Sequence, residues 1–471
     1  MKKQFIQAIF CPPNDQYQEY NLPSRLTDEV FSYLKDMKIN RIFGWGYDSR
    51  KTTIEKMMDM CEKYNISYLP TLEVNHEYLR IESDDKGKAF FELNEEEIKR
   101  LDERFIRDFY PYTLRKCVKG IFFSDESGYL GFKGIIHAKE VFEKAYPGYE
   151  FHVNFFSYTI NEQMFWTSFN KPDYVVKEEW KPFKLEGKYE VNFANRFNYY
   201  DLFVDGLLAK SHFNYFSFDK YPFEIYWDKC PHFMHRCYIE SVALLRKKKE
   251  QYHSNFYAYI GVGQWFENAP KTLLPSEFSL SMHILALYGC DGFAYFPGLY
   301  PVDFVTYTKL LNSDNGQAGL LDINGKPTIF YHELKKLNEY FSLIEDDLLN
   351  SELISVKSYG EYYNGFTKED VKDVKDNEVI FFGEEPPFYN VDKQNIKVKK
   401  TTNNIFISEF KKDNKAKFYL VNMSTLFSND IEIELPKGNY QLLGVNRSIS
   451  FNEELKITLQ PGEGIYIIDK T

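Results

Sequence analysis

A chain of 471 residues, 44% hydrophobic and 27% charged, has the length for two or three cores and the balance of a folded protein, which excludes wholesale disorder. A net charge of −11 excludes a surface built for nucleic-acid phosphates, and the one basic cluster, Arg246-Lys247-Lys248-Lys249, reads as the solvated end of a helix. No run reaches the apolar length of a membrane span, so no membrane partner is expected.

The six cysteines (Cys11, Cys61, Cys117, Cys230, Cys237, Cys290) are dispersed, without a CxxC pair or zinc-ligand spacing. A reducing compartment is therefore expected, with no disulfide staples, no metal and no organic cofactor. Met1-Lys2-Lys3 followed by Phe5–Phe10 begins like a secretory leader. The apolar run is short, however, Gln7 interrupts it, and no small-residue cleavage site follows. It reads as a first strand, and a cytoplasmic location is expected. Aromatics reach 18% but spread over the whole chain, as a composition bias does.

Short apolar and β-branched runs alternate with longer helical patterns, the signature of βα units on a parallel sheet. The strand-like runs are Phe5–Cys11, Arg41–Tyr47, Ile66–Val74, Gly120–Ser124, Phe151–Phe156, Phe213–Asp219, Phe256–Gly261 and Gly292–Phe296. Their near-continuous hydrophobicity suits burial on both faces. Leu26–Met37, Thr53–Tyr64, Ser276–Tyr288 and Thr328–Leu349 carry helical periodicity. Eight such units predict a (β/α)8 barrel over residues 1–350. The long connection Tyr158–His212, with Pro172, Lys177-Glu178-Glu179-Trp180 and an aromatic run near Tyr199, is placed to shape a binding cleft or to form a surface excursion. Over residues 351–471 the texture changes to short alternating strands: Phe406–Phe410, Ala416–Asn422, Asp430–Leu435, Tyr440–Val445, Leu455–Leu459 and Gly464–Ile468. With their turns they predict an antiparallel β-sandwich. The charged stretch Lys368–Glu378 reads as an exposed loop.

Chemistry in such barrels sits at the carboxyl ends of the strands. There the first strand delivers Cys11 and Pro12, the second Trp45 and Tyr47, and the third Glu73, Asn75 and His76. The fourth gives Asp125 and Glu126, the fifth Asn154, and the sixth Asp219 and Tyr221. The seventh gives Gln264, Trp265 and Glu267, and the eighth Tyr295. Acids, amides and aromatics, with no phosphate-cradling glycine loop, suit cleavage of a glycosidic bond. That reaction needs a protonated carboxyl at the leaving oxygen and a second group to stabilise the cationic sugar. In Ser124-Asp125-Glu126-Ser127-Gly128 two adjacent acids at a buried strand end repel each other and lose solvent, which keeps one protonated near neutrality. Glu126 is expected as the acid catalyst and Asp219 is the next candidate; Glu73 and Glu267 follow. Trp45, Trp265 and Tyr295 offer faces for a sugar ring, and rim packing accounts for each equally well. His76 alone reads as structural.

Ser124–Gly128, the Val153-Asn154-Phe155 strand, Ser217-Phe218-Asp219-Lys220-Tyr221-Pro222 and Leu320–Leu337 resemble a group of glycoside-hydrolase-like bacterial barrel proteins. Their patterns run Asp-Glu-Pro on strand four and Tyr-Asp-x-Tyr-Pro on strand six. They close with an aspartate–glycine turn, Lys-Pro-Thr and a long final helix. Here Ser127 replaces the proline, Phe218 the tyrosine, and Asn324 precedes Gly325. Gly319–Asp322 through Asn338 also resembles family 42 β-galactosidases, of a clan of retaining barrel glycosidases. In that clan an Asn-Glu pair ends strand four, its Glu being acid/base, and a Glu on strand seven is the nucleophile. Glu126 matches the first role, Asp125 stands for the asparagine, and Gly263-Gln264-Trp265 has no Glu at the expected place. The Asp125-Glu126 pair is similar to that of the families 20 and 123 that cleave N-acetylhexosamines. There the substrate's acetamido oxygen attacks, the Asp orients it, the Glu is acid/base and a tyrosine assists, a role open to Tyr221 or Tyr295. Three readings follow: substrate-assisted hydrolysis of a β-linked glycan or glycoconjugate, double displacement with Glu267 or Asp219 as nucleophile, and a non-catalytic carbohydrate-binding barrel. All imply a carbohydrate partner, and a homo-oligomer is compatible with each.

Overall fold

The computed structural model describes residues 4–10, 13–15, 18–19, 21–44, 51–83, 86–157, 162–167, 176–183, 193–223, 232–262, 273–299, 319–322, 324–367, 369–370 and 394–470, with backbone only for 51, 178 and 193–198. The first half alternates strand and helix. In order come β1 (Ile6–Ile9), α1 (Asp28–Asp36), β2 (Arg41–Phe43), α2 (Lys51–Tyr64), β3 (Ser67–Leu69), α3 (Asn75–Leu79), α4 (Glu95–Thr113), β4 (Gly120–Asp125), α5 (Phe132–Ala145) and β5 (Glu150–Phe155). Then follow α6 (Glu162–Thr167), α7 (Phe193–Leu208), β6 (Tyr215–Asp219), α8 (Arg236–Tyr252), β7 (Asn255–Gly261), α9 (Pro275–Leu287), β8 (Gly292–Phe296) and α10 (Ile329–Asn350). Local chemistry sets the helix starts. Thr27 caps α1 by accepting from Val30 N, with Asp28 and Glu29 in the first turn, and Asn94 and Glu97 form a reciprocal capping box on α4.

The strands run parallel in the order β3-β2-β1-β8-β7-β6-β5-β4. The ring closes between β3 and β4, where Tyr68 N donates to Cys117 O (2.9 Å), Lys119 N to Tyr68 O (3.2 Å) and Phe122 N to Pro70 O (2.9 Å). This is the expected (β/α)8 barrel. Its interior is filled in layers. At the amino-terminal end Arg41 Nη1 meets Glu150 Oε1 at 2.8 Å, both side chains 5% exposed. Above them Phe43 stacks on His152 and Tyr257, with Phe122 tilted against His152. Phe10 and Tyr259 pack edge to face higher still, beneath the carboxyl mouth.

The chain passes from α10 straight into β9 (Glu352–Tyr359), then β10 (Lys397–Thr401), β11 (Ile405–Lys412), β12 (Lys415–Asn422), β13 (Asn429–Glu434), β14 (Tyr440–Gly444), β15 (Arg447–Phe451), β16 (Glu454–Leu459) and β17 (Gly464–Asp469). A six-stranded antiparallel sheet (β15-β14-β17-β12-β11-β9) faces a three-stranded one (β10-β13-β16). Alternation along β11 and β12 explains how the large sheet serves two cores. Ile405, Ile407, Phe418 and Leu420 point between the sheets, while Phe406, Phe410, Tyr419 and Val421 join the barrel core. His283 Nδ1 on α9 meets the Tyr419 hydroxyl at 2.6 Å, and burial drives that imidazole down to about 3, so it is neutral there. Strands β9, β10 (KVKKT) and β15 (RSISF) escaped the sequence reading; all three lie at sheet edges, lysines break the apolar pattern of β10, and no residue of β15 is fully buried. Of the Lys368–Glu378 stretch only Glu369 and Asp370 are described, both exposed.

Candidate active site

Inward positions of β4, β5 and β6 converge at the carboxyl mouth, but β4 would miss the cluster without an irregularity. Phe122 on β4 pairs with His152 on β5, both pointing inward; after a bulge between Phe122 and Ser124, Asp125 pairs with Asn154. The extra residue re-aims the strand, so Asp125 faces inward where an unbroken alternation would have put Ser124 there. On β6, Ser217 pairs with Asn154, and Asp219 ends the strand on the same face.

Asn154 organises the acids. Its Nδ2 donates to Asp125 Oδ1 at 2.8 Å and to Asp219 Oδ1 at 3.3 Å. Its Oδ1 accepts from Ser217 Oγ at 2.7 Å. Below, His152 Nε2 lies 2.9 Å from Ser217 Oγ and 2.8 Å from the Tyr257 hydroxyl. Burial holds His152 well below the usual imidazole range, so it is a neutral element of this chain. Both ends of the amide are thus directed at protein groups. Asp219 Oδ2 also accepts from the Tyr221 hydroxyl at 3.4 Å, and the Tyr221 ring stacks on Phe296 with centroids 6.0 Å apart. Gly261 makes room for that ring, since a Cβ there would lie 3.0 Å from Tyr221 Cδ1.

Burial first, and then the negative charge of Asp219, push Asp125 up to about 7; the Asn154 amide acts against them. The charge that perturbs Asp125 therefore comes from across β5, whereas the sequence pointed to the adjacent Glu126. Glu126 leaves the strand with φ +49°, a left-handed conformation uncommon outside glycine, while its N–H still donates to Asn154 O at 3.0 Å. The turn lifts it out of the strand alternation at the mouth. The buried Tyr200 phenol on α7 is raised by desolvation, then by the charges of Asp219 and Glu126, so these two carboxyls approach the same side chain. Tyr259 feels Asp125 and Asp219 in the same way from below. Sequence reasoning missed Tyr200 and Tyr259. The every-second-residue pattern of β7, which puts Tyr257 and Tyr259 inside, carried the signal for the latter.

Other candidates fall elsewhere. Tyr295 lies on the outer face of β8, fully buried against Phe278, and its hydroxyl donates to Gln7 Oε1 at 2.6 Å. Asn75 is buried, its Nδ2 donating to Phe123 O at 3.1 Å as a brace for β4. Glu73 and His76 are exposed on the turn and short helix after β3. Cys11, Pro12, Trp45, Tyr47, Gln264, Trp265 and Glu267 lie outside the described residues. Among the described residues, no group of three or more His, Cys, Asp or Glu side chains is placed to hold a metal ion. Nor is any helix among them long and apolar enough to cross a membrane. A cavity of about 980 Å³ opens at the opposite, amino-terminal mouth beside Arg41 and Glu150, far from where the strands deliver the acids.

No family model matches the chain, and no curated protein matches it by sequence. Solved structures resemble it in fold. An α-amylase from Geobacillus thermoleovorans, complexed with acarbose, aligns over 100% of both chains at 9% identity and a TM-score of 0.51. A catalytic mutant of a GH42 β-galactosidase from G. stearothermophilus aligns over 100% of this chain and 98% of its own, also at 9% identity and 0.51. The alignment with a β-galactosidase from the psychrophilic Marinomonas ef1 covers 73% of this chain and 62% of that one at 8% identity and a TM-score of 0.46. The chain thus spans less than two thirds of that enzyme. At these identities the likeness establishes the barrel fold.

Proposed function

We propose that the chain is a glycoside hydrolase that cleaves a β-linked glycan or glycoconjugate at the carboxyl mouth of the barrel. Glu126 is the general acid/base, and Asp125 and Asp219 face the developing positive charge on the sugar. The observation that carries this reading is the shared Asn154 amide. Its nitrogen donates to Asp125 at 2.8 Å and to Asp219 at 3.3 Å, which gathers two carboxyls at the strand ends beside Glu126. An Asp beside the acid/base favours substrate assistance on an N-acetylhexosamine, a mechanism that retains configuration. In that mechanism the acetamido oxygen attacks C1 as the C1–O bond breaks, and Glu126 gives its proton to the leaving oxygen. Asp125, in the ionised form it takes above about pH 7, accepts from the acetamido N–H. Water, deprotonated by Glu126, then opens the cyclic intermediate and regenerates the acetamido group. The Tyr221 hydroxyl on Asp219 also supports a second reading, double displacement with Asp219 as nucleophile.

The test is a panel of aryl β-glycosides, N-acetylhexosaminides included, with product anomers followed by NMR. Turnover with retention is expected, abolished by Glu126→Gln with folding intact. Inverted product, or undiminished hydrolysis by Glu126→Gln, overturns the assignment. A need for the 2-acetamido group selects substrate assistance. Trapping of Asp219 by a 2-deoxy-2-fluoro glycoside selects double displacement.

A further inference from the structure

A second concave surface, of about 500 Å³, opens on the flank of the barrel. Its walls are Phe91, Tyr129, Ile136 and Trp180, with Lys133 and Lys210 on its rim. Trp180 ends a short helical turn, Glu178–Trp180, in the long connection between β5 and β6. Its ring meets Phe91 edge-on at 5.7 Å, and the Lys177 ammonium lies 4.4 Å from its centroid. Lys210 lies 5.9 Å from the centroid of Tyr129. Gly206 on α7 lets Tyr129 seat there, since a Cβ would come within 2.3 Å of its ring. Trp180, Tyr129 and Ile136 pack on the barrel core with one side and keep part of their surface exposed.

Volume and lining match a small-ligand site: apolar and aromatic walls with a few polar groups that fix orientation. The chemistry narrows the ligand. The ring faces are electron-rich and already attract two ammonium groups, and they attract the polarised C–H face of a pyranose for the same reason. Glu179 joins Lys133 and Lys210 in the lining, so acceptor and donors are both present for sugar hydroxyls. A purely apolar ligand would strip water from these charges without pairing them, and a polyanion would meet Glu179. A protein partner needs about 800 Å² on each side, more than such a cleft presents. We propose that this cleft is a second glycan-binding site that stacks a pyranose of a β-linked chain on the Trp180 ring. The choice of ligand rests on the glycosidase reading above; the site itself rests on its own geometry.

Binding of β-1,4-linked hexasaccharides of N-acetylglucosamine, glucose and galactose to the full chain, carrying Glu126→Gln to prevent turnover, tests this by calorimetry. At least one is expected to bind. Adding Trp180→Ala should weaken it about tenfold or more, while Trp180→Phe keeps it within about threefold. Lys133→Glu, at an exposed rim position, should weaken it several-fold without touching the packing. Failure of all three hexasaccharides to bind at millimolar concentration overturns the inference. So does unchanged binding in both Trp180→Ala and Lys133→Glu, and so does a loss confined to Asp219→Asn. Hexasaccharide binding without hydrolysis of any aryl glycoside keeps the cleft and removes the hydrolase reading; hydrolysis without hexasaccharide binding does the reverse.

Discussion

Asp125→Asn isolates the proton that the acid cluster is built to hold. The folded protein keeps the Asp125 proton up to about pH 7, whereas an aspartate in the unfolded chain loses it near 3.8. Between these values the native state binds more protons than the unfolded state, so stability falls as pH rises and the loss levels off above pH 7. Relative to the protonated state, ionisation then costs the fold on the order of 2 kcal/mol at pH 5 and 4 kcal/mol at pH 8. The amide in Asp125→Asn does not titrate, yet keeps an oxygen for the Asn154 donor. The stability of the variant relative to the native protein should therefore improve by roughly 2–3 kcal/mol between pH 5 and pH 8. Urea unfolding at the two pH values, followed by tryptophan fluorescence and circular dichroism, measures it, with coincidence of the two probes as the check on a single transition. Asp219→Asn removes the neighbouring charge and should shrink the pH dependence without abolishing it. An equal gap between variant and native protein at both pH values would refute the electrostatic reasoning.

Asn154→Ala removes a donor that favours the charged form of Asp125. The acid limb of kcat/KM should move to higher pH, and kcat should fall about 100-fold with little change in KM, as expected when reacting groups lose alignment. Ser217→Ala should give a smaller loss of the same kind, since it only orients the amide; an unshifted limb in both variants would remove Asn154 from the positioning role. At the other end of the barrel, Arg41→Ala leaves Glu150 buried and unpaired and should cost about 3–5 kcal/mol in urea unfolding. Adding Glu150→Gln should recover part of that, and strict additivity of the two changes would show that the pair does not act as a unit.

The eight barrel strands were legible because burial on both faces writes itself as short, nearly continuous apolar runs, and the intervening helices because their caps and periodicity are local. Strands β9, β10 and β15 were not: all three lie at sheet edges, where a strand need not carry the apolar run of a strand buried on both faces. The acid cluster divides along the same line. That Asp125, Glu126, Asn154 and Asp219 end neighbouring strands is a one-dimensional fact, and the sequence carries it. Which carboxyl faces which is a matter of parity, and parity is set by the bulge after Phe122, which no composition or spacing marks. Counting straight along β4 from Phe122 points Ser124 inward and turns Asp125 out toward the helices. One extra residue reverses this. It brings Asp125 under Asn154 and within reach of the Asp219 charge, while the left-handed turn at Glu126 carries that side chain clear of the strand. The electrostatic partner of Asp125 is therefore a consequence of backbone irregularity. Inserting one residue between Ser124 and Asp125 should turn Asp125 outward and abolish its raised titration even if the barrel still closes, whereas deleting Phe123, the extra residue, leaves Asp125 paired with Asn154 and should preserve it.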